Sequence, residues 1–139
     1  MLGGLASHPW AYPALEVVHI CGIALLLGNL VLLEARVFGA APALPARELA
    51  RLSLAIAGTG FGIAAASGLL MFATQPQELL ANRAFTLKML LLLAAGANAA
   101  VFHARDSLAR LDPVARWQML LSTAIWLFVI ACGRWIAYQ

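Results

Sequence analysis

Charge is scarce in this sequence. Asp, Glu, Lys and Arg make up 11% of the residues, less than half the share in an average soluble domain, where about a quarter are charged. Together with 63% hydrophobic residues and a mean hydropathy of +0.89, that scarcity argues against a water-soluble domain and for one membrane domain over all 139 residues. No Lys or Arg precedes Arg36, so the basic opening of a secretory signal is missing, and the first apolar run is too long and too polar for a signal core. Residues 1–12 are therefore expected to stay with the mature protein. Cysteine is limited to Cys21 and Cys132, both inside apolar runs, where two buried free thiols are expected rather than a disulfide; soft metal ligation is the alternative. Also missing are a nucleophile–base pair, a glycine-rich phosphate loop, a zinc-spaced Cys/His motif, an internal repeat and a low-complexity segment. Soluble-type catalysis has no support.

Four apolar runs remain, each long enough to cross a bilayer as a helix. Helices are predicted at about 13–36, 49–73, 85–103 and 117–138, which makes an all-α integral membrane four-helix bundle. His8-Pro9-Trp10-Ala11-Tyr12-Pro13 leads into the first, with Trp10 and Tyr12 as interfacial anchors. The breakers Gly39, Pro42 and Pro45 separate the first two helices, and Pro76 and Pro113 mark the later loops. In the second helix Gly58 and Gly62, and likewise Gly60, Ala64 and Gly68, recur at four-residue spacing. Such stripes let a neighbouring backbone approach closely.

Basic residues orient the chain. Arg36, Arg47 and Arg51 flank the first loop and Arg105, Arg110 and Arg116 the third, against Arg83, Lys88 and Arg134 near the second loop and the C-terminus. This asymmetry places the first and third loops in the cytoplasm and both termini on the outer, periplasmic side. The +3 net charge therefore reports topology, and no nucleic-acid partner is expected. At about 1.5 Å per residue, Glu16, His19, Met71, Lys88 and Arg134 all fall in the outer part of the bundle. At roughly 100° per residue, Glu16, His19 and Glu34 share one helix face, as do Lys88 and His103, and Met119, Thr123 and Arg134. A second polar group, Glu34, Arg36, His103, Met119 and the deeper Asn98, lies toward the cytoplasm. Ionisable groups inside membrane helices are expensive and mark sites. The plain alternative is an ion pair of Glu16 with Lys88 or Arg134 that only fixes helix register.

Tyr12-Pro13, Glu16-Val17-Val18-His19, Glu34-Ala35-Arg36-Val37-Phe38-Gly39, Gly60-Phe61, Ser67-Gly68, Phe85-Thr86-Leu87-Lys88, Asn98, Phe102-His103 and Gly133-Arg134-Trp135-Ile136-Ala137-Tyr138 resemble a bacterial four-helix inner-membrane family of unknown function. In that family the segment after the first helix reads Asp-Leu-Arg-Leu-Leu-Gly and the second helix carries Thr-Gly, so the departures here are mild. More distantly, Lys88 opening the third helix and Asn98 within it are similar to the membrane domain of the copper-resistance protein D family. The four-helix plan also resembles membrane b-type cytochromes. Both likenesses are largely of fold, and fold does not fix function.

Three functions follow as expectations. Copper or other metal handling would draw on His19 and Met71, closed by His8 from the N-terminal segment. Haem b binding would need His19 with Met71, His103 with Met119, or His19 from two subunits of a homodimer, with Lys88, Arg134 or Arg36 on the propionates. The third is a non-catalytic partner or assembly subunit, working in the bilayer with a periplasmic protein. For the metal and haem readings the outer cluster is expected to combine His19 as the ligand-binding group with Glu16, Lys88 and Arg134, with His103 and Asn98 as further cofactor-binding candidates; for the partner subunit the cluster would be a structural ion pair.

Overall fold

The computed structural model describes residues 9–106 and 110–138, and His8 lies outside them. Among the described residues the helices run, in order, α1 (Ala11–Val37), α2 (Ala46–Thr74), the short α3 (Pro76–Leu80), α4 (Arg83–Ala104) and α5 (Pro113–Trp135), which runs into a 3-10 turn, Ile136–Tyr138. No strand occurs among the described residues. Four spans, Ala11–Val37, Ala46–Thr74, Arg83–Ala104 and Pro113–Tyr138, are long and apolar enough to cross a membrane. Val17, Ile20, Leu69, Leu93 and Phe128 are each at least 60% exposed. Water would not tolerate that much apolar surface on a domain of this size, whereas lipid does.

The helices begin two to four residues before the predicted starts, and at α4 and α5 a side-chain cap sets the start. Asn82 accepts from Ala84 and Phe85 N–H at 2.9 and 3.3 Å, and Asp112 accepts from Ala115 N–H at 2.9 Å. Each satisfies N–H groups left free in a first turn. Pro113 and Pro76 sit in the first turns of α5 and α3, where a missing N–H costs nothing. Gln75, ahead of Pro76, is driven out of helical geometry (φ −151°, ψ 60°), and this separates α2 from α3. The α3 turn lies in a stretch predicted as plain loop.

α1 ends in a Schellman motif. Ala40 N–H reaches Ala35 O, Gly39 N–H reaches Arg36 O, and Gly39 carries the required positive φ of 105°. Arg36 Nε then donates to Leu44 O at 2.8 Å, so this arginine staples the loop instead of joining a site. At the same end Arg105 pairs with Asp112 at 3.0 Å. The Ala115 N–H first, and Arg105 after it, hold the Asp112 carboxyl below the usual carboxylate range. We call this end, with residues 38–45, 105–106 and 111–112, the arginine-rich end, and the opposite one the terminal end.

The bundle consists of two antiparallel hairpins, α1 on α2 and α4 on α5, joined chiefly through α1 against α5. On α2 the buried positions are Ala50, Ser53, Ala57, Gly60, Ala64 and Ser67, alternating three- and four-residue steps with no large side chain, which is the seam of a left-handed helix pair. α1 answers with Gly22, Leu26, Leu33 and Val37. The two backbones touch at Gly22 and Gly60: a Cβ on Gly22 would lie 2.6 Å from Gly60 O, and one on Gly60 would lie 2.5 Å from Gly22 O. Of the two predicted stripes, the one through Gly60 and Ala64 is therefore the packing face. Gly58 and Gly62 have nothing within 4 Å of an added Cβ. Larger side chains fill the arginine-rich end, where Leu33, Val37, Ala50, Phe102, Ala115 and Met119 form one cluster, and the middle of α4–α5, where Ala95, Ile125 and Val129 form another.

Candidate ligand site between Lys88 and His19

His19 lies two turns into α1, about 12 Å from its start at 1.5 Å per residue. Its Nδ1 is 2.8 Å from Ala64 O and 3.1 Å from Ser67 Oγ on α2. A carbonyl only accepts, so the proton sits on Nδ1. Ser67 agrees with this, because its hydroxyl donates backward to Ile63 O at 2.8 Å and leaves Oγ free to accept. The second nitrogen, Nε2, is then a lone-pair acceptor, and it meets Lys88 Nζ of α4 at 3.5 Å. Two glycines clear the space. A Cβ on Gly68 would sit 3.4 Å from His19 Cε1, and one on Gly133 of α5 would sit 3.4 Å from Lys88 Nζ. The buried thiol of Cys132 is within electrostatic reach of the same ammonium. All four spanning helices thus meet at one level around a His–Lys pair.

Lys88 is the only lysine in the chain, it is half-buried, and it has no carboxylate partner. Arg105–Asp112 is the sole ion pair among the described residues. Glu16, expected to balance this charge, is exposed on α1 and lies near Tyr12, which also meets Gln75 and Glu78. The three-residue step from Glu16 to His19 sets them about 60° apart around the helix, enough to leave one facing lipid. Arg134 is exposed as well. It bends to the terminal turn, donating to Tyr138 Oη at 2.7 Å and lying 5.0 Å over that ring, and so leaves the cluster.

The other expected residues scatter. Met71 is half-buried near the end of α2. His103 is exposed and set edge-on against Phe102 at 5.6 Å, while Met119 is sealed in the core, so these two do not share one site. Asn98 donates to Gln118 O at 2.9 Å and so ties α4 to α5. Cys21, expected in the interior, is exposed, because it sits beside Gly22 and one residue off the seam. Among the described residues no three His, Cys, Asp or Glu side chains gather where a metal ion could be held.

Four partnerships escaped the sequence, where Ser67, Cys132 and Thr123 stand out only for other reasons. Ser67 orients the imidazole and Cys132 adjoins Lys88, as described above. Thr123 of α5 donates to Glu34 Oε2 of α1, a second polar tie between hairpins. Asn82 has a double role, since its Nδ2 donates to Ile136 O at 2.9 Å while its Oδ1 caps α4. The one available signal was spacing: Ser67 and Ala64 stand on the same seam as Gly60, and the close approach of α1 to α2 at Gly22 brings His19 against them.

Fold and site together define an all-α, multi-pass membrane protein whose lysine, held between two hairpins, meets an imidazole and, among the described residues, no carboxylate. Comparison with family descriptions, curated proteins and solved structures gives no match, so function is argued from geometry.

Proposed function

We propose that the chain is a multi-pass protein of the bacterial inner membrane, with both termini in the periplasm, that receives an anionic group of a ligand at Lys88 and positions it with His19. The observation that carries this reading is the lone lysine: its ammonium has an imidazole nitrogen at 3.5 Å and no carboxylate among the described residues. A cation inside a spanning segment is costly unless it is paired, and the described residues offer it no carboxylate, so the anionic group of a ligand would meet an uncompensated charge. A carboxylate or phosphate placed against Lys88 Nζ would take a charge-assisted hydrogen bond, in a niche that Gly68 and Gly133 keep free of side chains. A carboxylate on a periplasmic partner protein or a second copy would meet the same chemistry. Copper calls on His19, and so do two of the three haem arrangements; the Nε2 of that imidazole, the nitrogen a metal would take, meets Lys88, and the anion reading uses that arrangement as it stands.

The test is thermal unfolding of the detergent-purified protein with acetate or inorganic phosphate added at constant ionic strength. Stabilisation is expected in the wild type and absent in Lys88→Met, with His19→Ala between them. An unchanged response in Lys88→Met overturns the reading, as does copper or haem that co-purifies stoichiometrically and is lost in His19→Ala.

The orientation rests on six basic residues about the arginine-rich end against three about the terminal end. A phosphatase reporter is expected to be active when fused after Tyr138 and silent when fused after Ala40. The reverse pattern would invert the topology and put the Lys88 site on the cytoplasmic side.

A further inference from the structure

A groove of about 300 Å³ opens between α4 and α5 at the terminal end, lined by Arg83, Ala84, Leu87, Ala131, Cys132 and Trp135. Arg83 is the first residue of α4 and Trp135 the last of α5, so the mouth lies at the level where a spanning helix leaves the hydrocarbon. Leu87 and Ala131 lie one turn deeper. Leu87 is 49% and Trp135 61% exposed, and on a membrane helix that outward surface faces lipid. The groove therefore opens sideways into the bilayer. Its hollow comes from Ala84 and Ala131, whose methyl groups leave the space that larger side chains would fill.

The charge around the mouth is one-sided. Glu16 and Glu78 gather about Tyr12 on the α1 and α3 side, whereas Arg83 and Arg134 stand on α4 and α5. Arg134 is turned onto Tyr138. Arg83 has no ion-pair partner among the described residues, and its planar guanidinium suits two oxygens of one phosphate. We propose that this groove binds one anionic phospholipid, with its phosphate on Arg83, its headgroup beside Trp135 and the upper part of one acyl chain against Leu87, Ala131 and Cys132. An apolar trough beneath a lone guanidinium matches a molecule that is charged at one end and hydrocarbon below. A water-borne anion has no use for the trough, and a zwitterionic lipid gains less from the positive mouth. This groove adjoins the Lys88 niche, with Cys132 between them, but opens to lipid and calls for an acyl chain, which the niche does not.

The experiment is native mass spectrometry of the full chain released from nanodiscs of equimolar phosphatidylglycerol and phosphatidylcholine. The wild type is expected to retain one phosphatidylglycerol with a preference of roughly five-fold, about what one juxtamembrane basic residue supplies. Arg83→Gln, at an exposed position that leaves the fold intact, is expected to lose the preference, and Ala131→Leu to lose retained lipid of either kind. Lys88→Met is expected to keep both. Equal retention of the two lipids by the wild type, no retained lipid, or an undiminished preference in Arg83→Gln would each overturn the proposal. If Ala131→Leu does not fold, the Arg83 comparison decides alone.

Discussion

Gly22→Ala is expected to be among the most damaging single-methyl changes in this protein. The added carbon would lie 2.6 Å from Gly60 O and 2.7 Å from Ala64 N, and these are backbone atoms with no rotamer to change. Relief requires α1 and α2 to separate along the whole seam, so each contact from Ser53 to Ser67 loosens. Membrane helices associate through close packing rather than through expulsion of water, and the loss is therefore felt in full. Overpacking a tight interior costs about 1–3 kcal/mol, and a backbone obstacle belongs at or above the top of that range. Gly60→Ala should behave alike, since its carbon meets Gly22 O at 2.5 Å and Leu26 N at 2.8 Å. Gly58→Ala and Gly62→Ala, with nothing within 4 Å, serve as controls and should hold wild-type stability in a detergent melt. Equal loss in both pairs would mean that helix-wide glycine content, and not this crossing, sets the stability.

Lys88→Met is expected to raise the melting temperature of the ligand-free protein while abolishing its response to anions. If Lys88 were half of an ion pair, removing it would strand a carboxylate at a cost of about 3–5 kcal/mol. Here no carboxylate lies within 4.0 Å of the ammonium among the described residues, so the substitution removes a charge that the bundle hosts at a loss, a gain on the order of 1 kcal/mol at this depth. Glu16→Gln, on an exposed side chain, should be neutral alone and additive with Lys88→Met, because distant groups with no shared partner do not couple. A double-mutant cycle reads this directly. Destabilisation by Lys88→Met that Glu16→Gln repairs would restore the structural ion pair and remove the case for a ligand.

How much of this was legible in the sequence differs by element. The four spans are stated by composition, since long apolar runs broken by Gly39, Pro76 and Pro113 leave little else for the backbone to do in lipid. The Gly60 stripe was readable as one of two candidates, but its choice over Gly58 and Gly62 depends on Gly22 of α1, and a stripe on one helix does not name its partner. His19 and Lys88 could be placed at similar depth by counting residues. Glu16 and Arg134 could not be separated from them, because depth is set by rise per residue, whereas company is set by rotation and by what each long side chain can reach. Arg134 reaches Tyr138 four residues on, a local contact that takes the guanidinium away from the bundle centre. Glu16 stands only three residues before His19, yet that step carries it off the seam.

The unequal seams have a mechanical consequence. α1 and α2, in backbone contact at their waist, form a stiff plate. The second hairpin is held against it by a few side-chain fasteners: Glu34 with Thr123, the edge-on contact of Phe61 with Trp126 and the stacked rings of Phe72 and Phe85. The molecule therefore yields along the line between hairpins before it yields within either. The Phe72–Phe85 stack closes that line at the terminal end and the Leu33–Phe102–Met119 cluster closes it at the other, so the stretch between them is where the hairpins part most readily.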